Sequence, residues 1–355
     1  KDMDKVKLAI VGCGAISNLN VPGYLDHNMC EIVALCDPVS ERAISKAKEW
    51  GINPEIFTEY SDVLSNTDVD AIELLTPTYL HAEQIMAGIK AGKHISCQKP
   101  LATSMKEASE IKEVVTKSDL IFRVTENFLY YPPIVKAKQL IDSGEIGSPS
   151  LVRIRTIRGG MDKVRVPVET DTYLWRRDPK LNPGGMLYDD GWHKYATAMS
   201  WVGDIEKVTS IVTHNEDYID NTPSAAVMKV KDKDCLVTLD YSSARDMPMR
   251  TKYYAADEFF EIVGPKGTIW VTRCTGEFLD MAPVVLIKGD HTTTFDIPSD
   301  WIHGFKGAAA SFIESIINKE TPDMDIDFST KVLDIALSVY ESSKSEKTIY
   351  TNTTA

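Results

Sequence analysis

Asp189 and His193 stand four residues apart in the stretch Gly184-Gly185-Met186-Leu187-Tyr188-Asp189-Asp190-Gly191-Trp192-His193. On a helix that spacing puts both side chains on one face, where a carboxylate can orient an imidazole for proton transfer. A helical carboxylate beside a core histidine would show the same spacing. A metal site needs a third ligand, and none lies at an obvious spacing, so no metal is expected. Lys99 ends an apolar run and precedes Pro100, a place from which an ammonium can reach a ligand held at a sheet edge. Gly12-Cys13-Gly14-Ala15-Ile16-Ser17 follows another apolar run and opens a helical pattern. There the first glycine allows a tight turn, and the second lets the backbone approach a pyrophosphate at the helix N-terminus. Ser17 takes the place of the third glycine of that pattern. Asp37 closes the next run, where its carboxylate can accept from adenosine ribose hydroxyls and repel a 2′-phosphate, which favours NAD over NADP. Capping the helix after Pro38 is the other role open to it. Thr76-Pro77 and His81 follow a third run, and His81 can serve a ligand there or simply pack.

The elements that must position these residues follow from the periodicity. Strand-like runs at 7–11, 32–36, 71–75, 94–97 and 120–124 alternate with helical patterns at 16–27, 40–50, 80–91 and 104–117. That alternation predicts an α/β fold with a doubly wound parallel Rossmann sheet. After Asn127 a helix opened by Pro132 and Pro133 leads to strands at 151–157, 208–212, 225–230, 236–241, 259–263 and 268–271. One helix over 185–201 interrupts them, and helices at 304–318 and 329–343 follow. This half predicts an α/β domain built on a large, mostly antiparallel open sheet. The expected division is therefore 1–127 for the nucleotide-binding Rossmann domain and 128–355 for the second domain.

The 355 residues are 43% hydrophobic and 26% charged, a balance that suits a folded chain and not a disordered one. Acidic residues number 52 against 39 basic, a net charge of -13 that repels a phosphate backbone, so no nucleic-acid partner is expected. The six cysteines form no CxxC pair and read as reduced, buried thiols of a cytoplasmic protein. Lys1 to Lys7 is charged and runs into a short apolar strand without the longer apolar core of an export signal, and no stretch approaches the roughly 20 apolar residues of a membrane span. No membrane partner is expected.

Taken in order, Gly12 to Ser17, Thr76-Pro77 with His81, Ala91-Gly92-Lys93-His94 leading to Lys99-Pro100, and Trp175-Arg176 leading to Asp189 and His193 resemble the Gfo/Idh/MocA oxidoreductase family over nearly the whole chain. The resemblance implies hydride transfer to NAD from a secondary hydroxyl of a sugar, glycoside or polyol, such as C3 of a ring, and a homo-oligomer, dimer or tetramer. It assigns substrate binding and oligomerisation to the domain at 128–355. It implies Lys99, Asp189 and His193 as the catalytic set. It also implies Gly12, Gly14, Ala15, Ile16, Asp37, Thr76, Pro77, His81, Gln98 and Asn127 as cofactor contacts, with Tyr130, Trp175 and Arg176 joining Lys99, Asp189 and His193 around the substrate. Trp192 and Tyr188 could stack on a sugar or belong to the core. Two departures stand out: the usual Glu-Lys-Pro is Gln98-Lys99-Pro100, and the usual third glycine before the Asp-to-His segment is Met186. The same residues also suit a glycoside-cleaving or keto-sugar-reducing enzyme with recycled NAD, and the fold suits a non-catalytic NAD-binding sensor.

Overall fold

Short apolar runs joined by helices build the first part of the chain in the computed structural model, which describes residues 5–160, 174–214 and 219–351. Strands β1 (Val6–Val11), β2 (Cys30–Cys36), β3 (Glu55–Phe57), β4 (Ala71–Leu74), β5 (His94–Gln98) and β6 (Phe122–Thr125) form one sheet in the order β3-β2-β1-β4-β5-β6. Every neighbouring pair is parallel. Parallel strands need crossover connections, supplied here by α1 (Ser17–Leu25), α2 (Ser40–Trp50), α3 (Tyr60–Ser65), α4 (His81–Lys90) and α5 (Met105–Thr116). Such strands are covered on both faces, and β4 is buried at all of its residues. The order reverses between β1 and β4, and parallel strands end along one edge. Gly12, Thr76, Lys99 and Asn127, which follow β1, β4, β5 and β6, therefore arrive at the edge where open α/β sheets bind ligands. The three-residue β3 and the short α3 are additions to the expected pattern.

The chain divides into two compact units: Lys1–Asn127 with Val168–Asn182 and Phe305–Leu333, and Phe128–Pro167 with Pro183–Gly304 and Asp334–Ala355. The second unit is built on β7 (Leu151–Gly160), β8 (Ile205–Val212), β9 (Ser224–Val230), β10 (Leu236–Pro248), β11 (Ala256–Gly264), β12 (Gly267–Val271), β13 (Val284–Lys288), β14 (His291–Phe295) and β15 (Ile349–Tyr350). Their order is β14-β13-β12-β11-β7-β10-β9-β8-β15, antiparallel throughout except where β7 meets β10. Residues of β9 alternate between buried and more exposed positions, as one covered and one open face require. Among the helices are α6 (Pro132–Asp142), α7 (Met186–Asp189), α8 (Gly191–Val202), α9 (Ile302–Asn318) and α10 (Ile326–Ser345). The single helix expected over 185–201 is thus two, parted at Asp190. The end of α10 docks on β8 through hydroxyls: Ser342 and Ser343 accept the backbone N–H groups of Ser210 and Val212 at 3.0 and 2.8 Å.

Polar residues deep in the first unit form a closed network. Glu73 of β4 is fully buried and accepts from the Tyr24 hydroxyl and, at 3.0 Å, from Thr125 Oγ1. Arg123 of β6, 1% exposed, donates from Nε to Ser96 Oγ at 3.0 Å, to the Ala308 carbonyl of α9, and at 3.3 Å to the same Tyr24 hydroxyl. The phenol thus bridges a buried anion and a buried cation, and the guanidinium ties α9 to the sheet. Arg123→Met should destabilise the protein by about 3–5 kcal/mol, because Glu73 is left as an uncompensated buried charge. Denaturant unfolding followed by circular dichroism measures the loss, and an unchanged midpoint would show that Glu73 needs no cation.

Candidate active site

In the first unit the turn after β1 is shaped by its glycines. Gly12 has φ +97, and a Cβ there would sit 2.8 Å from the Leu75 carbonyl group, so a side chain is excluded on both counts. A Cβ on Gly14 would meet nothing within 4 Å, which leaves its backbone facing open space. Ala15 and Ile16 continue the turn, Ser17 Oγ donates to the Gly14 carbonyl at 2.6 Å, and no side chain caps the N-terminus of α1. Asp37, 4% exposed, takes the Cys13 N–H on Oδ2 at 3.0 Å and the Val39 N–H on Oδ1 at 2.9 Å, with Arg42 at 3.5 Å. Its carboxylate therefore does cap the turn after Pro38, and it also locks that turn to the glycine loop. A carboxylate has about four acceptor sites, so the ribose role stays open to it.

The ends of β4 and β5 are tied together by His81. Its ring is fully buried, with Nδ1 2.8 Å from the Pro100 carbonyl and Nε2 2.9 Å from the Thr76 carbonyl. Burial lowers the proton affinity of this imidazole against the pull of those carbonyls. Both ring nitrogens are thus engaged by the chain itself, and His81 holds the Thr76-Pro77 loop to the Lys99-Pro100 turn. Gln98 Oε1 accepts the Lys99 N–H at 2.9 Å. Gln98 Nε2 and Asn127 Nδ2 are buried amide donors without a partner among the described residues. Unsatisfied buried donors are rare and need an explanation, and a bound dinucleotide rich in acceptors, laid along this edge, provides one. The open glycine turn, the uncapped helix and the two orphan amides fit NAD. Beside the same loop Trp175 meets Tyr79 edge-on at 5.9 Å, and the Arg176 guanidinium lies 4.6 Å from the Trp175 ring centre.

The second unit supplies the Asp-to-His segment. Gly185 leaves no room for a side chain, since a Cβ would come within 2.3 Å of Asn221 Oδ1, and its N–H donates to the Tyr340 hydroxyl at 2.8 Å. Asp189 ends α7 and His193 lies in the first turn of α8. The intervening Asp190 keeps right-handed helical dihedrals, as the one-face relation expected of the two requires. His193 is 9% exposed and stacks on Phe128 with ring centres 4.4 Å apart and planes at 21°. Phe128 in turn meets Trp301 edge-on at 4.6 Å, and Tyr130 follows in the same 3-10 turn. Trp192 and Tyr188 are buried in the core, which settles their open reading in favour of packing.

Sequence reasoning missed the strongest electrostatics of the segment. Lys194 is wholly buried and donates to Asp190 Oδ2 at 2.6 Å, an oxygen that also accepts from the Tyr241 hydroxyl at 2.6 Å. Glu258 of β11 lies 3.6 Å from the same ammonium. Burial pushes the Asp190 carboxyl up, but the charges of Lys194 and His193 and the hydrogen bonds from Lys194 and Tyr241 outweigh it and hold it down to about 2. Burial likewise opposes the Lys194 charge, and the carboxylates of Asp190 and Glu258 raise its proton affinity in spite of it. The spacing of Asp190 and Lys194 was a readable signal, obscured by the adjacent Asp189.

A reversing parallel sheet with a glycine turn, a carboxylate after its second strand and orphan amides along one edge defines an NAD-dependent oxidoreductase. The chain belongs to the Gfo/Idh/MocA family: residues 6–126 match its "Oxidoreductase family, NAD-binding Rossmann fold" and residues 134–270 its "GFO/IDH/MocA C-terminal domain". It is 28% identical to the scyllo-inositol 2-dehydrogenase (NAD(+)) of Bacillus subtilis (strain 168), over 91% of this chain and 90% of that protein. Its fold is similar to an oxidoreductase from Agrobacterium radiobacter solved in complex with NAD+, L-tartaric acid and magnesium, with a TM-score of 0.84, 18% identity and 98% of each chain covered. It is also similar to levoglucosan dehydrogenase solved with NADH and levoglucosan, with a TM-score of 0.81, 18% identity, and 98% of this chain and 100% of that one covered. Asp37→Ala strips the Cys13 N–H of its acceptor, at a cost of about 1–3 kcal/mol, and should weaken NAD binding by about tenfold while narrowing the gap to NADP. Titration with both cofactors, read by protein fluorescence, checks both effects.

Proposed function

We propose that this chain oxidises a secondary hydroxyl of a sugar, glycoside or polyol, at a ring carbon such as C3, with Lys99, Asp189 and His193 as its acid-base set. Alcohol oxidation removes a hydroxyl proton and a carbinol hydride together. His193 takes the proton, Asp189 orients the imidazole, and Lys99 hydrogen-bonds the same oxygen and stabilises its developing negative charge. When bound along the first unit's strand ends, NAD supplies the hydride acceptor. Gly12, Gly14, Ala15, Ile16, Asp37, Thr76, Pro77, Gln98 and Asn127 hold it there, with His81 bracing the loops. Tyr130, Trp175 and Arg176 serve the substrate, the pair of exposed Tyr79 and half-buried Trp175 offering an apolar face for a sugar ring.

The observation that carries this reading is the His193 imidazole: little exposed, fixed in plane by Phe128 and placed one helical turn from a carboxylate. A pure binding module has no use for such a group. The relatives named for scyllo-inositol and levoglucosan support a hydroxyl-rich substrate. Exposed Ile211 and Val227 on the nine-stranded sheet support a homo-oligomer.

Reduced-nicotinamide absorbance after mixing protein and NAD with free sugars, inositols, sugar phosphates and glycosides should rise with one class. Cleaved glycoside without net reduction of NAD would replace this reading with the eliminative one. His193→Ala and Lys99→Ala should each lower kcat by about 10²–10⁴ while leaving NAD affinity unchanged; normal turnover in either variant removes that residue from the set.

A further inference from the structure

Lys194 follows His193 directly, and nothing about packing a helix on a sheet calls for a charge there. Taking an ammonium out of water costs several kcal/mol even after relaxation, and an apolar side chain of similar volume would fill the place without that penalty. Yet Lys194 is fully buried, bonded to Asp190 on its own helix and 3.6 Å from Glu258 on β11. Its ammonium also lies 5.0 Å from the centre of the Phe128 ring, the ring on which the His193 imidazole stacks. Trp301 and Phe260 hold that phenyl group edge-on at 4.6 and 6.5 Å. Asp190 and His193 also interact through their charges.

We propose that Asp190 and Lys194, with Phe128 in contact with both the cation and the imidazole, are positioning residues for His193: they fix the plane of its ring and balance its charge. This rests on the reading of His193 as the proton acceptor for its catalytic meaning, though not for its test. The two charges act in opposite senses. The Asp190 carboxylate favours the imidazolium, and the Lys194 ammonium disfavours it. Added to the Asp189 carboxylate that orients the ring, the two nearly cancel and leave an imidazole that can take up a proton and release it again, whereas losing either would shift it toward one state.

The other titratable groups around the pair leave this balance intact. The Tyr241 phenol of β10 and the Cys274 thiol after β12 are pushed up by burial and stay neutral. Glu258 is raised by burial against the pull of Lys194, and its oxygens are taken by the Thr275 N–H and hydroxyl at 2.7–3.1 Å. Asp257 is paired with Arg155 at 2.9 Å. On the helix itself the Tyr195 hydroxyl donates to the Leu187 carbonyl at 2.8 Å.

The test is the titration of the His193 ring, followed by NMR of histidine-labelled full chain without substrate and assigned by the resonance missing in His193→Gln. Asp190→Asn should lower the His193 pKa by about one unit, and Lys194→Met should raise it by about as much. The double variant should return it close to the starting value. Tyr241→Phe leaves the helix untouched and removes one donor from the Asp190 carboxylate, so it should raise the pKa by less; it decides the matter should Lys194→Met fail to fold. A His193 pKa that stays put in folded Asp190→Asn and Tyr241→Phe, or that moves the same way when either charge is removed, overturns the proposal. Shifts as stated together with full turnover in His193→Ala would keep the positioning role and sink the catalytic reading alone.

Discussion

The Lys194 ammonium has to be neutralised where it lies, and that requirement dictates how the His193 helix meets the nine-stranded sheet. One carboxylate comes from the helix, Asp190 at 2.6 Å, and the other from the sheet, Glu258 at 3.6 Å. Sliding or rotating the helix would break one of the two pairings and leave a buried charge exposed to no counter-ion, a penalty of about 3–5 kcal/mol. Non-directional apolar contacts would tolerate such a slip; a charge held from two elements does not. Phe128 then transmits the fixed position to the imidazole, because its ring is packed against His193 and Trp301 at once.

The first unit solves the corresponding problem with a shared neutral group. Glu73 and Arg123 lie buried in the parallel sheet, and the Tyr24 hydroxyl mediates between them. This network braces α1 and α9, and α1 begins at the glycine turn. Close packing reinforces it: a Cβ on Gly23 of α1 would come within 2.6 Å of Ala309 of α9. The helix proposed to receive a pyrophosphate at its N-terminus is therefore held from behind, with its backbone donors already in place for such a ligand.

Much of this was readable in the chain because parallel strands announce themselves as unbroken apolar runs, and the residue after each run is at the ligand edge by topology. Gly12, Asp37, Thr76 and Lys99 each stand at or just after the end of such a run. The buried charges were not readable, since Glu73 and Arg123 inside strands look like the solvent side of an alternating pattern. Asp190 was hidden by Asp189, and only packing shows which of two adjacent carboxylates turns to the sheet. β3 is only three residues long and β14 is almost wholly exposed, so neither carries an extended hydrophobic signature. His81 was legible as a special residue, but its tie between two loop carbonyls depends on a pairing of strand ends that no local pattern encodes.

The departure at Gln98 acquires a physical meaning from the same edge. Either a glutamate or a glutamine can accept the Lys99 N–H with one oxygen, as Gln98 Oε1 does at 2.9 Å. They differ in what they leave over. A glutamate would present a second acceptor and a negative charge beside Lys99, whereas Gln98 presents Nε2, a buried donor with no partner among the described residues. The substitution therefore keeps the backbone geometry of the Lys99-Pro100 turn while changing what that turn shows to a ligand. An edge lined by Gln98 Nε2 and Asn127 Nδ2 asks for acceptor oxygens, and a ligand that supplies them gains the hydrogen bonds that the folded chain alone leaves unmade.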